Sequence, residues 1–312
     1  MEILQKINYF LTLLKKYLKM FKKILIIGCG LIGSSILKNS IKNKLSKNIY
    51  VYEKSKKNIK IIKKISRGIK FINNLNKDIE DIDFIIICTP MSEYNSIFSK
   101  LNKLLFKNSI ITEVGSTKRN LIKFTKNKNL VLSHPIAGSE VSGPEFGNKN
   151  LFYNKWCILI NKGKRKKIKL VKKFWQKLGS KVILMNEKEH DKIFAITSHL
   201  PHLIAYNLIK TAQDFQKIEK RNLIKYSAGG LRDFSRTAAS NEVMWRDIFF
   251  SNKDNMINTI NKFIQNLNLI KKNIKNKKDK QLKSILVNSK KVRKQIIETK
   301  QDVSKPDFGR NI

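Results

Sequence analysis

A junction near the start of the chain restricts its fold more than any other feature. Ile24-Leu25-Ile26-Ile27 is a continuous apolar run of the kind a strand buried on both faces requires. It passes directly into Gly28-Cys29-Gly30-Leu31-Ile32-Gly33 and then into helical periodicity. In such a strand–turn–helix the first glycine permits the tight turn and the second lets backbone approach a pyrophosphate. The third lets the helix pack closely on the strand. Backbone N–H groups at the helix start, around Leu31 and Ile32, are then free to face phosphates. A second strand signal ends at Glu53, 20 residues beyond Gly33, the separation expected of a carboxylate that accepts a hydrogen bond from a ribose 2′-OH. A glycine-rich turn beside an unrelated surface Glu is the bland alternative, but here strand, helix and acid occur together. Gly28, Gly30, Leu31, Ile32, Gly33 and Glu53 are therefore expected to bind a dinucleotide. A carboxylate at 53 repels a 2′-phosphate and favours NAD over NADP, a preference that Lys54, Ser55 and Lys56 soften.

Six strand signals continue this plan: Lys22 to Gly28, Asn48 to Glu53, Asp83 to Cys88, Ser109 to Glu113, Leu130 to Ser133 and Lys155 to Ile160. With helical segments between them they indicate an α/β Rossmann domain built on a doubly wound parallel sheet. Thr89 and Pro90 end the third strand and are grouped with the cofactor residues, because ligands bind outside the carboxyl ends of such strands. Beyond about Asn186 the strand signals stop and helical periodicity continues. The chain divides on this reading into a basic N-terminal extension (1–19), a dinucleotide-binding domain (20–186) and an all-helical domain (187–312) with a loose tail from Asp302 to Ile312.

Composition narrows the partners. With 65 Lys+Arg against 23 Asp+Glu the formal charge is +42, which raises a nucleic-acid reading. The basic residues are spread over the whole length, as in 59–64 and 271–275, and gather into no nucleic-acid motif. Biased composition is the preferred reading, and no nucleic-acid partner is expected. Such a field still attracts anionic small molecules. No apolar run approaches the roughly 20 residues that cross a bilayer, so no membrane partner is expected. Cys29, Cys88 and Cys157 are widely spaced and form no CxxC pair, which argues against a disulfide framework or metal site and for a reducing cytoplasm. In residues 1–19, lysines stand where a secretory signal needs its apolar core and cleavage site, and Arg and Ser are too few for a transit peptide. An amphipathic extension, or a start assigned upstream of Met20, remains.

The four histidines are the candidate proton acceptors: His134, His190, His199 and His202. His134 follows the strand Leu130-Val131-Leu132, at the sheet edge where ligands bind. His190, among Glu187, Glu189 and Asp191, reads as a solvated surface histidine. His199 and His202 lie in Ser198-His199-Leu200-Pro201-His202, where one packed core histidine is the bland reading. Their spacing is thin support for a metal.

Six blocks then carry a resemblance. Gly-Cys-Gly-Leu-Ile-Gly-Ser-Ser (28–35), Glu-Val-Gly-Ser-Thr-Lys (113–118) and His-Pro-Ile-Ala-Gly-Ser-Glu-Val-Ser-Gly (134–143) come first. Ser-His-Leu-Pro-His-Leu-Ile-Ala (198–205), Ala-Gly-Gly-Leu-Arg-Asp-Phe-Ser-Arg-Thr-Ala-Ala-Ser (228–240) and Met-Trp-Arg-Asp-Ile (244–248) follow. In this order the chain resembles the prephenate/arogenate dehydrogenase family from about residue 20 to 260. The resemblance implies NAD-dependent oxidative decarboxylation of prephenate to 4-hydroxyphenylpyruvate, in tyrosine biosynthesis, or of arogenate. It implies His134 as the group that takes the C4 hydroxyl proton and Ser116 as the residue orienting that histidine and the hydroxyl. It also implies Arg236 on a substrate carboxylate, Ser198 and His202 facing the substrate side chain, and Trp245 near the pocket. A helical second domain that binds substrate and forms a homodimer is implied as well. Glu53 and Glu113 stand where the family more often has Asp.

Each assignment has a plainer rival. Ser116 could cap a helix, Arg236 could pair with Asp233 or Asp247, and Trp245 could be core packing. Glu140, six residues past His134, could meet Arg236 at the pocket mouth. Two other functions stay in play: a dehydrogenase of another small hydroxy acid, which has no reason to carry both the His134 and Arg236 blocks, and a basic nucleic-acid-binding protein on a Rossmann scaffold.

Overall fold

The computed structural model describes residues 20–65, 68–76, 79–104, 109–126, 128–220 and 222–299. The basic extension 1–19 and the tail 302–312 lie outside the described residues.

The six expected strands form, joined by two that sequence reading passed over. In chain order they are β1 (Phe21–Ile27), β2 (Ser46–Tyr52), β3 (Ile69–Phe71), β4 (Phe84–Ile87), β5 (Ile110–Glu113), β6 (Leu130–Pro135), β7 (Trp156–Ile160) and β8 (Lys181–Met185). They make one sheet in the order β3-β2-β1-β4-β5-β6-β7-β8. Every pairing is parallel except β6 with β7, where His134 lies opposite Ile158 in an antiparallel ladder. The expected parallel sheet is thus mostly, not wholly, parallel.

The continuous apolar strands are explained by what covers each face. Ile24 and Ile26 of β1 enter a core with Ile36 and Leu37 of α1 (Leu31–Lys42), Ile62 of α2 (Lys56–Ile65), and Phe174 and Trp175 of α4 (Arg165–Lys177). Their neighbours Leu25 and Ile27 enter a separate core with Tyr94, Ile97, Phe98 and Leu101 of α3 (Tyr94–Leu101). With both faces covered, alternation has no reason to appear. Each such side chain is worth about 1.5–3 kcal/mol on full burial.

From Glu187 onward the described chain is helical: α5 (Glu187–Phe194), a π-type turn at Ala195–His199, α6 (Leu200–Glu219), α7 (Gly229–Ala238), α8 (Glu242–Ser251), α9 (Lys253–Lys275) and α10 (Asp279–Glu298). Asn186 starts this region by accepting the Glu189 N–H at 2.8 Å, an N-cap that fixes where strand gives way to helix. Among the described residues no helix is long and apolar enough to cross a membrane. All three cysteines are free.

Candidate active site

The glycine turn is built as its sequence requires. Gly28 has φ +82°, and a Cβ there would meet Thr89 Cγ2 at 2.7 Å and Thr89 N at 2.9 Å. A Cβ on Gly33 would lie 2.2 Å from the Gly28 carbonyl oxygen, so only glycine lets α1 sit this close to the turn. A Cβ on Gly30 would meet nothing within 4 Å, so that side of the turn is open. Helix α1 has no capping side chain and no acidic residue in its first turn, leaving the N–H groups beside Leu31 and Ile32 for an anion. Glu53 leans over the turn: one carboxylate oxygen accepts Cys29 N–H at 2.8 Å and the other accepts Ser55 N–H at 2.9 Å. Lys54 is drawn away to Glu93 at 2.6 Å. The Thr89 hydroxyl, next to Gly28, is buried without a hydrogen-bond partner. An open helix start, an acid beside it and an orphaned hydroxyl suit a dinucleotide.

His134 lies in the last two residues of β6, 8% exposed, with the Phe194 ring packed edge-on at 4.9 Å. Its Nδ1 lies 2.8 Å from His190 Nε2, and His190 Nδ1 lies 2.8 Å from Asp191 Oδ1. The expectation of a solvated His190 is therefore wrong: it is wholly buried. The flanking glutamates misled because helical periodicity turns them away from His190. His190, Asp191 and Phe194 form the buried face of α5, while Glu187 and Glu189 point elsewhere. Asp191 accepts the backbone N–H of Lys118 at 2.7 Å and of Arg119 at 2.9 Å, tying α5 to the loop that carries Ser116.

Below that loop Glu113 and Lys118 form a buried pair at 2.5 Å. Glu113 also accepts Gly115 N–H at 2.7 Å, Ser133 N–H at 3.1 Å and the Tyr94 hydroxyl at 3.3 Å. Burial pushes the Glu113 carboxyl up and the Lys118 ammonium down, and each is opposed chiefly by the other. Burial also holds the His134 imidazole well below its ordinary range, reinforced by nearby His190, Lys118 and His199, so it rests neutral.

Ser116 is half-buried on the loop that follows β5, and its hydroxyl has no hydrogen-bond partner among the described residues, neither His134 nor a helix N–H. Arg236 stands in the last turn of α7 and meets Glu140 at 3.4 Å, on the loop that leaves His134. Asp247, a rival partner, instead binds Arg246 at 2.8 Å and accepts Ser92 N–H at 2.9 Å. His202 donates from Nδ1 to the Ser198 carbonyl at 2.9 Å, and its ring stacks on Trp245 at 3.7 Å. Trp245 is 5% exposed, packed on His202, with its indole N–H unpartnered. His199 is buried against Asn252, its Nδ1 3.2 Å from the amide. Among the described residues no three His, Cys, Asp or Glu gather where they could hold a metal ion.

Comparison with known proteins follows the same division. Residues 37–184 match the family pattern described as "Prephenate dehydrogenase, nucleotide-binding domain", and residues 186–288 match "Prephenate dehydrogenase, dimerization domain". The cyclohexadienyl dehydrogenase of Zymomonas mobilis is 31% identical over 253 residues, covering 79% of this chain and 86% of the relative. The chain belongs to the prephenate dehydrogenase family. A second family relative, the prephenate dehydrogenase of Lactococcus lactis, is 30% identical over 87% of this chain and 77% of its own length. The crystal structure of prephenate dehydrogenase from Aquifex aeolicus in complex with hydroxyphenyl propionate and NAD+ superposes with a TM-score of 0.83 at 33% identity. It covers 90% of this chain and 100% of that one. The nucleotide-binding pattern begins past the glycine turn, so in this prephenate dehydrogenase family member the turn's assignment rests on its geometry.

Proposed function

We propose that the protein is an NAD-dependent prephenate dehydrogenase, with residues 20–186 holding the dinucleotide and the helical domain supplying the substrate wall and the homodimer contact. The observation that carries this reading is the placement of His134. It is a neutral, nearly buried imidazole at a strand's carboxyl end, with Nδ1 engaged by His190 and Nε2 uncommitted among the described residues.

Gly28, Gly30, Gly33 and the start of α1 hold the pyrophosphate, with Leu31 and Ile32 at the helix start, and Glu53 takes the ribose. Thr89 and Pro90 line the same crevice. Bound there, NAD would supply the acceptor for hydride from C4 of the cyclohexadienol, whose ring carboxylate would leave as carbon dioxide to give an aromatic phenol. His134 takes the hydroxyl proton at Nε2, and Ser116 orients that hydroxyl. Arg236 holds a substrate carboxylate through its planar fork, for which a lysine is a poorer match. His202 and Ser198 face the side chain. An arogenate or dual-specificity enzyme is the second reading, favoured by the cyclohexadienyl dehydrogenase relative. For the homodimer, the support is a run of exposed apolar residues on α9 (Ile257, Ile264, Leu267, Ile274) and α6 (Phe215, Ile218).

The test is formation of NADH absorbance by purified protein, with prephenate and arogenate each supplied with NAD and with NADP. Turnover of prephenate with NAD is expected. His134→Asn should lose about 10²–10⁴-fold in kcat with little change in KM. Unaltered turnover in that variant removes the assignment.

A further inference from the structure

Three side chains in series, Asp191, His190 and His134, carry an inference beyond the identity of the proton acceptor, although it rests on that reading of His134. The distances along the series are 2.8 Å and 2.8 Å, all three residues are at least nine-tenths buried, and the order of donors and acceptors can be worked out from one end.

Asp191 receives two backbone N–H groups, Lys118 on Oδ1 and Arg119 on Oδ2. A backbone N–H can only donate, so both oxygens are held as acceptors and the facing His190 Nδ1 must carry a hydrogen. A neutral His190 with hydrogen on Nδ1 has its lone pair on Nε2. That lone pair faces His134 Nδ1, which must then be the protonated nitrogen of its own ring. The remaining nitrogen of His134, Nε2, is left with a lone pair. We propose that Asp191 and His190 are positioning residues that lock His134 in the tautomer whose Nε2 can accept a proton. Charge follows the same line. Glu113 and Lys118 cancel, leaving the Asp191 carboxylate as the uncompensated charge of the buried network. The positive charge His134 gains during turnover is balanced through His190.

The series predicts opposite behaviour for removing an acceptor and for replacing one. Asp191→Leu leaves His190 Nδ1 with no acceptor, so neither His190 nor His134 is held in a single tautomer. His190→Gln keeps an oxygen that accepts from His134 Nδ1 and an N–H for Asp191, whereas His190→Leu keeps neither.

Nitrogen-15 NMR of histidine-labelled full-length protein reads the tautomer directly, with His134 assigned by its loss in His134→Asn. Wild type should show a protonated Nδ1 and an unprotonated Nε2 at His134, and Asp191→Leu should show the two tautomers mixed. By analogy with a misoriented catalytic histidine, kcat should fall about 10²–10⁴-fold in Asp191→Leu and His190→Leu, with KM for both substrates nearly unchanged. His190→Gln should recover most of the rate. If Asp191→Leu fails to fold, the wild-type spectrum and the Gln–Leu contrast at position 190 still decide. Hydrogen on His134 Nε2 in wild type, or equal rates for His190→Gln and His190→Leu, overturns the proposal. The spectrum is independent of turnover, so a failure of His134 as base, seen as a fully active His134→Asn, is told apart from a failure of the tautomer lock.

Discussion

Lys118 holds its ammonium 2.5 Å from the Glu113 carboxylate, and neither side chain is exposed. Two charges are taken from water at the floor of the site, and the loop between them carries Ser116. Removing two ions from water costs several kcal/mol each, so such a pair persists only when the remaining lone pairs are also used. Here Gly115, Ser133 and Tyr94 use them.

Lys118→Met would strand the carboxylate. Loss of one partner of a buried pair costs about 3–5 kcal/mol, whereas replacing both by apolar groups is often close to neutral. Urea unfolding of Lys118→Met should show that loss, and the double variant Glu113→Leu/Lys118→Met should recover part of it. A single variant as stable as wild type would mean the pair is not ionised in the folded protein.

The contact between Arg236 and Glu140 makes a different kind of prediction. At 3.4 Å, with the side chains 46% and 32% exposed, it is worth little to stability. Its effect belongs to binding, because a carboxylate substrate must compete with Glu140 for the guanidinium. Arg236→Ala should raise the substrate KM by about 10–100-fold, the worth of a charged hydrogen bond, and leave Tm nearly unchanged. Glu140→Gln should lower KM. Steady-state kinetics on the two variants check both signs, and a KM that rises in Glu140→Gln would show the pair to be part of the bound state instead.

Acid should weaken the fold before it protonates most carboxylates. Burial lowers His134, His190 and His199 below the ordinary 6.5, His199 to about 4. In the unfolded chain these rings take up protons near pH 6.5, while in the folded protein they stay neutral. The unfolded state then binds more protons, so stability is complete above pH 6.5 and falls as pH drops from there toward about 4. Urea midpoints at about pH 7.5 and 5.5 should differ, the lower pH being less stable. Equal midpoints would mean the rings are not held neutral.

What sequence could and could not supply follows from the range of the forces involved. The glycine turn and the strand at His134 are local: each is dictated by residues within a few positions, and both form. The Arg236–Glu140 meeting was open to guesswork only through charge. His190 was misread because the acidic residues around it suggested solvent, whereas in space it is enclosed by His134, Phe194 and the equally buried Asp191. Nothing in a lysine-rich chain marks Lys118 as buried; that depends on Glu113, with which it pairs. The extra strands β3 and β8 escaped for mechanical reasons. β3 has three residues with Lys70 at its centre, and β8 is an edge strand that leaves Ile183 and Leu184 over 40% exposed.

The π-type turn at Ala195–His199 has a consequence for how the two halves of its helix may vary. In regular α-helix, His190 and His202 would stand about 120° apart around the axis; a wider turn absorbing one residue brings them to roughly 20°. Chain length is therefore negotiable at this one place. A relative lacking a residue there would keep both imidazoles in line on an uninterrupted cylinder, while a deletion on either side would swing one of them out of register by about 100°.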